Sequence, residues 1–382
     1  MTVQNIQTSD INRLKQAKRI VIKIGSAILT GDQPGFVRQD WLQALLKEVA
    51  VFKRNGQDVI IVSSGAIALG RRHLGLINGK LKLEEKQAAA AIGQIRLSSL
   101  YQELLAHDQI VAAQILLTLG DTEDRQRHLN ARNTINNLLK FGAVPVINEN
   151  DTVATAEIRF GDNDRLAARV AAMMNADILI LLSDIDGLYT SDPRKNPNAT
   201  FIPIVHKITD EIENMAGKPP VGYSSGGMIT KITAARIAVA AGCTMIIANG
   251  KEMWPLTKIL QGGRCTWFVP PLEPKNAKKA WIAGSLKPNG QLIIDEGAVR
   301  AIHHGKSLLP ADILQVQGDF KRGDLVTIFD TQNHEIARGL SAYSKTEVEL
   351  LKGHRSGDIE SLLGYDGHDE IIHRDDLAII ER

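Results

Sequence analysis

Aromatic residues are scarce in this chain, at 4% of 382 residues, so its core has to be built from Ala, Val, Ile and Leu. Cysteine is scarcer still. Cys243 and Cys265 are the only two, which excludes a disulfide framework and the small secreted folds that depend on one. No run of about 18 apolar residues occurs, and that removes a membrane-spanning helix. The segment from Met1 to Lys18 is polar and lacks the apolar centre of a signal peptide, so a cytoplasmic protein is expected. An excess of one charge is also missing. The 45 Lys and Arg face 43 Asp and Glu, a net charge of +2, too balanced for a bulk polyanion binder. There is no internal repeat and no low-complexity tract.

What is present is ordinary globular composition, 44% apolar and 23% charged. At about 150 residues per domain the length suggests two or three domains. Through residue 270, short apolar runs alternate with helical patterns. Ile20-Val21-Ile22, Val59 to Val62, Val144 to Ile147, Ile178 to Leu182 and Met245-Ile246-Ile247 read as strands buried on both faces. Trp41, Leu45, Val49 and Phe52 share one helical face, and Glu84–His107, Leu166–Met174 and Ile232–Ala241 are also helical. The alternation predicts a three-layer α/β/α sandwich around a mainly parallel central sheet over residues 1–270. Val269 to Pro274 is proline-rich, and 271–280 reads as a stiff linker. Residues 281–382 hold short, turn-rich strand patterns, which predict a small β-rich domain with a tail. Charge divides with texture: residues 280–382 carry −6 and the remainder +8.

Five loops look like chemistry. Lys23-Ile24-Gly25-Ser26 follows the first strand, where open α/β sheets bind ligands; Gly25 permits close approach to an anion and Lys23 supplies charge. An ordinary strand-ending turn reads the same way. Ser63-Ser64-Gly65 leads from a strand into a helix, either as an anion site or as a serine N-cap. Asn148-Glu149-Asn150-Asp151 and Gly161-Asp162-Asn163-Asp164 hold more Asn and Asp than helix capping needs, and their spacing is not that of an EF-hand. Ser183-Asp184 ends the most apolar strand, suited to a ribose, a metal or a turn. Ser225-Gly226-Gly227-Met228-Ile229-Thr230-Lys231 enters a helix like a phosphate cradle or a glycine hinge. It is not a Walker A loop, and no Gly-x-Gly-x-x-Gly follows the first strand, which disfavours a dinucleotide dehydrogenase. His303-His304 lack metal-ligand spacing, and Cys243 reads as core. Two lysines and several anion-friendly helix starts suggest phosphoryl transfer, and an acceptor that is already a carboxylate needs no general base.

These loops together resemble the amino acid kinase family, in the branch that adds a C-terminal PUA domain. The resemblance runs from about Lys18 to Arg382. It is most specific at Pro145 to Asp151, Ala154-Thr155-Ala156-Glu157-Ile158, Gly161 to Asp164 and Gly226-Gly227-Met228, with Leu129-Asn130-Ala131-Arg132 in support. Asp295-Glu296-Gly297-Ala298, Ser307-Leu308-Leu309-Pro310 and Gly323-Asp324 resemble a PUA domain.

The resemblance implies ATP- and Mg²⁺-dependent phosphorylation of the γ-carboxylate of L-glutamate, the first step of proline biosynthesis. It implies that Lys23 and Lys231 flank the transferring phosphoryl group and that Asp164 orients them. Ser64, Asp151 and Asn163 would hold glutamate. Lys23, Gly25, Ser183, Asp184 and the loop Ser225, Gly226, Gly227, Met228, Ile229, Thr230 and Lys231 would contact the nucleotide. Ser183 and Ser225 stand where many relatives carry threonine, which keeps the hydroxyl. No direct metal ligand is indicated. Inhibition by proline, a homo-oligomer (dimer or tetramer) and a reductase that consumes the labile γ-glutamyl phosphate are further implications. The nearest rival is a family member acting on acetylglutamate, aspartate, carbamate or UMP, which the Asn/Asp clusters and the PUA-like tail disfavour. An RNA-binding role is the other rival, and the acidic tail counts against it.

Overall fold

The computed structural model describes residues 8–31, 35–76, 79, 81–153, 162–216, 227–271, 279, 282 and 288–380. The chain divides into two units, Met1–Asp124 with Asn130–Pro274, and Arg125–Leu129 with Lys275–Arg382.

The strands of the larger unit are β1 (Arg19–Ile24), β2 (Asp58–Ser63), β3 (Ala112–Leu117), β4 (Val144–Glu149), β5 (Ile178–Ser183), β6 (Leu188–Tyr189), β7 (Phe201–Ile202), β8 (Ile204–Val205), β9 (Thr244–Asn249) and β10 (Cys265–Phe268). Eight of them form one sheet in the order β3-β4-β2-β1-β5-β9-β10-β8, and β6 pairs with β7. Every pairing from β3 across to β9 is parallel, β10 runs antiparallel to β9, and β8 is parallel to β10. The five strands read from the sequence are all present. β3 is the one long strand that reading missed, because Ala112-Ala113-Gln114 carries no β-branched residue.

Among the described residues, the helices of this unit are α1 (Thr8–Gln16), α2 (Ser26–Thr30), α3 (Gln39–Arg54), α4 (Ala66–His73), α5 (Leu83–Ala106), α6 (Leu119–Glu123), α7 (Arg125–Lys140, its first five residues counted with the smaller unit), α8 (Asp162–Met173), α9 (Asp210–Met215), α10 (Met228–Ala240) and α11 (Pro255–Leu260). Strand side chains alternate between faces, so β1 feeds two cores. Ile20, Ile22 and Ile24 pack with α3 and α5, whereas Val21 packs with α8 and α10. Both faces are therefore covered, which is why these strands are continuously apolar. Helices α4 and α5 meet at backbone contact. A Cβ on Gly70 would lie 1.7 Å from the Ala89 carbonyl oxygen, and one on Gly93 would lie 1.8 Å from that of Ala66. That contact fixes the height of α4, whose first turn follows the Ser63–Gly65 loop.

In the smaller unit, β11 (Gly290–Ile294), β12 (Ile313–Gly318), β13 (Leu325–Phe329), β14 (Glu335–Leu340) and β15 (Leu377–Ile379) form a sheet in the order β12-β11-β13-β14-β15. Helices α12 (Glu296–His303), α13 (Lys345–Leu351) and α14 (Ile359–Leu363) complete it. Its core holds Leu292, Ile294, Val326, Ile328 and Tyr343, so this part of the chain is the β-rich body expected. Most of the 271–280 segment lies outside the described residues.

Candidate active site

In this sheet the chain passes from β1 to its neighbour β2 on one side, whereas β5, the neighbour of β1 on the other side, is followed by β9 in the opposite direction, so the strand order reverses between β1 and β5. The carboxyl ends of the strands around such a switch point form the crevice where open α/β sheets bind ligands. Ile24-Gly25, Ser63-Ser64, Glu149-Asn150-Asp151 and Ser183-Asp184 all lie there, at the ends of β1, β2, β4 and β5.

Lys23 belongs to β1 itself rather than to the turn after it, which corrects the sequence reading. Two residues on from Val21, it faces the side of α8 and α10. There its Nζ lies 2.7 Å from Oδ1 of Asp164, the third residue of α8. Lys231 reaches the same carboxylate from α10, with Nζ 3.0 Å from Oδ2. All three are buried, Asp164 at 1% exposure. Burial alone would raise the Asp164 carboxyl, but the two ammonium groups outweigh it and hold the group well below the usual carboxylate range. Burial pushes the Lys23 ammonium below its ordinary value. Asp164 and the exposed Asp184 pull it back up, while Lys231 lowers it further. One carboxylate thus aims two cations at the same sheet edge.

Next to this trio is a neutral cluster. Asn163 donates from Nδ2 toward the Ser63 carbonyl oxygen (3.0 Å), Ser64 Oγ (2.8 Å) and Asn148 Oδ1 (3.1 Å). Asn163 Oδ1 is buried and has no hydrogen-bond partner among the described residues. Ser64 is not the N-cap of α4. Gly65 caps it with φ of +109°, a conformation suited to glycine, and no side chain bonds the helix start. That leaves the Ser64 hydroxyl for Asn163. Asp151 is buried just past the end of β4.

On the other side, Gly25 caps the start of α2 and lies close to Lys23; a Cβ there would lie 3.5 Å from Nζ. Ser183 is buried, and its hydroxyl donates to Asp184 Oδ1 (3.2 Å). Gly227 caps α10, with Met228, Ile229, Thr230 and Lys231 in its first turn. Thr230 Oγ1 lies 3.0 Å from Asp164 Oδ2 and 2.8 Å from the Gly227 carbonyl oxygen. Ser225, Gly226, Gly161 and the 154–158 motif lie outside the described residues. Among the described residues, no group of three or more His, Cys, Asp or Glu is placed to hold a metal ion. Cys243 is buried, and burial pushes its thiol up, away from reactivity.

Three residues of this region are ones the sequence reading passed over as individual candidates. Gln94 accepts from Asn148 Nδ2 at 2.7 Å, and Tyr101 shares a 2.9 Å hydrogen bond with Ser63 Oγ. Gln94 and Tyr101 lie inside the long α5, which carries no local sign of a site. Asn148 lay within a noted cluster, and its contact with Asn163 is what distinguishes it.

The fold and this site together define a class. Residues 18–249 match the amino acid kinase family and residues 290–363 match the PUA domain, so the chain belongs to the amino acid kinase family and carries a PUA domain. Within that family its relatives are specific. A protein named glutamate 5-kinase from Paramagnetospirillum magneticum is 60% identical over 366 residues, 96% of this chain and 99% of its own length. A glutamate 5-kinase from Agrobacterium fabrum is 57% identical over 361 residues, 94% and 92% of the two chains. A solved UMP kinase from Bacillus anthracis is 17% identical, with a TM-score of 0.46, over 67% of this chain and 97% of its own.

Proposed function

We propose that the chain acts as a glutamate 5-kinase, transferring the γ-phosphoryl group of ATP to the γ-carboxylate of L-glutamate. The observation that carries this reading is the pair of ammonium groups held on one buried carboxylate at the switch-point crevice. The relatives named above supply the choice of glutamate.

In the reaction, a carboxylate oxygen of glutamate bonds to the γ-phosphorus and the bond from that phosphorus to the bridging oxygen breaks, leaving ADP and γ-glutamyl phosphate. Two anions have to meet, so the barrier is set by charge. Lys23 and Lys231 are the cations that offset it, and Asp164 holds both in place. The acceptor is already ionised, so no base is required. Gly25, Ser183, Asp184 and the 225–231 loop would meet the nucleotide, and backbone N–H groups at the start of α10 favour its phosphates. Ser64, Asp151 and Asn163 would hold glutamate, whose ammonium group asks for oxygens. Mg²⁺ would be held mainly by the phosphates and would neutralise part of their charge.

The same reading extends to a kinase domain over 1–270, a linker over 271–280 and a PUA-like domain over 281–382. It also extends to a cytoplasmic location, inhibition by proline, a homo-oligomer and a reductase that takes the labile product. A hydroxamate trap tests the core of it. Protein, MgATP and hydroxylamine are mixed with L-glutamate, acetylglutamate, aspartate or no acceptor. Hydroxamate with glutamate alone is the expected result. Folded protein that gives none with any of them would overturn the reading.

A further inference from the structure

An asparagine amide looks nearly the same turned over, yet its two ends have opposite hydrogen-bonding roles. Binding through Asn163 therefore depends on which end faces the substrate. Two backbone groups show which end is which in this structure, because a carbonyl can only accept and an N–H can only donate. The Ser63 carbonyl oxygen lies 3.0 Å from one end of the Asn163 amide, so that end is nitrogen. The Glu149 N–H lies 2.9 Å from one end of the Asn148 amide, so that end is oxygen. The same Asn148 oxygen accepts from Asn163 Nδ2. Its nitrogen then points back into α5, onto Gln94 Oε1 at 2.7 Å. Gln94 is oriented in turn, since its Nε2 lies 3.3 Å from Ser98 Oγ and that hydroxyl donates to the Gln94 carbonyl oxygen at 2.9 Å.

We propose that Gln94 is a positioning residue for substrate binding: through Asn148 it helps hold the Asn163 amide with Nδ2 on the chain's own acceptors and Oδ1 left over, as the acceptor for the ammonium group of the amino acid substrate. The inference rests on the glutamate reading above and names what makes that site accept a free amino group. Asn163 Oδ1 is the end of the chain of hydrogen bonds, buried and unpartnered among the described residues. A buried acceptor left without a donor is costly, which marks it as waiting for one. Gln94 itself lies two side chains away from that atom and touches no reacting group.

The test separates positioning from packing. Gln94→Leu removes the acceptor for Asn148, and Gln94→Glu keeps one. KM for glutamate should rise about tenfold or more in Gln94→Leu, with kcat within about threefold and KM for ATP unchanged. That is the loss expected for one hydrogen bond to an ammonium group. Gln94→Glu should return KM to within about threefold of wild type. A second arm uses Asn148→Asp, whose carboxylate accepts whichever way it turns. In that background Gln94→Leu should add no further rise in KM, a coupling that lost packing would not produce. An unmoved KM in Gln94→Leu, equal KM values for Leu and Glu, or an undiminished effect in the Asn148→Asp background would each overturn the relay. Wild-type protein distinguishes the two levels. No turnover of glutamate by wild type removes the substrate reading and the relay with it, whereas turnover with any of those three results removes the relay alone.

Discussion

Asn163 and Asp164 are neighbours in the chain, yet their side chains end in two unlike polar clusters. Asp164 sits among charges: both its oxygens face ammonium groups, and it is almost fully buried. Asn163 sits among neutral acceptors, and its own acceptor, Oδ1, is unused among the described residues. The helix start makes this possible. At consecutive positions of α8 the side chains diverge by about 100°, one turned toward β1 and α10, the other toward the ends of β2 and β4. The charged cluster is suited to developing charge, and the neutral one to a ground-state contact. Changes in the first should therefore act on kcat and on stability, and changes in the second on KM.

The largest effect is expected at the centre of the charged cluster. Asp164→Ala leaves two ammonium groups buried and facing each other, and breaking a buried pair in this way costs about 3–5 kcal/mol. Chemical denaturation of the variant should show that loss, together with a collapse of kcat. Stability within 1 kcal/mol (a threshold set on the scale of ordinary surface changes, roughly ±0.5) would mean the cluster is more hydrated than its burial indicates. The wild type should show the linked pH effect. The native Asp164 carboxyl is held below its unfolded value of about 3.9, so its contribution is complete above that pH and is lost as pH falls through the native value. Asp164→Asn should flatten that acid limb.

Lys23→Ala and Lys231→Ala come next. If each cation is worth roughly 3 kcal/mol to the transition state, kcat falls at least ~100-fold in each. Near-wild-type turnover in both would remove them from the chemistry. Lys23 should also differ in pH response from an ordinary lysine. Burial lowers the Lys23 pKa, so its ammonium is lost on the alkaline side before a free lysine's value of about 10.4 is reached. The kcat profile of wild type should bend down early, and Lys23→Arg should move that bend to higher pH. An identical alkaline limb in Lys23→Arg would assign the bend to another group.

Just past the end of β4, outside the charged trio, Asp151→Ala should raise KM for glutamate by about tenfold and leave kcat within a few-fold, as expected when a ground-state contact is removed. A change confined to kcat would erase the contrast between the clusters.

Much of this was legible before any coordinates. The strands with β-branched runs were, because burial on both faces leaves them continuously apolar. The Asn/Asp clusters were, because they exceed what capping uses. Lys23 was legible as a candidate but not in its placement. Seeing that it shares a face with Val21 requires the strand to run on through Ile24, where the sequence reads as a turn. Strand β3 was hidden by its alanines. Gln94 was hidden more deeply. It sits 54 residues from Asn148 inside an Ala-rich helix, next to Gly93, where α5 meets α4 at backbone distance. No local pattern records a contact of that kind.

The smallest effect tests the border of the charged cluster. Thr230 Oγ1 has one proton and two acceptors within reach, Asp164 Oδ2 at 3.0 Å and the Gly227 carbonyl oxygen at 2.8 Å. A hydroxyl shared in this way gives Asp164 less than a full hydrogen bond, about 0.5–1.5 kcal/mol at most. Thr230→Val should therefore lower kcat by about two- to tenfold, and Thr230→Ser should restore most of it. If Thr230→Val instead matches Lys231→Ala, the hydroxyl rather than the second ammonium group is what holds Asp164 in place. The charged cluster would then be an ion pair with a hydrogen-bonded brace, closer in kind to its neutral neighbour than the geometry of two flanking lysines implies.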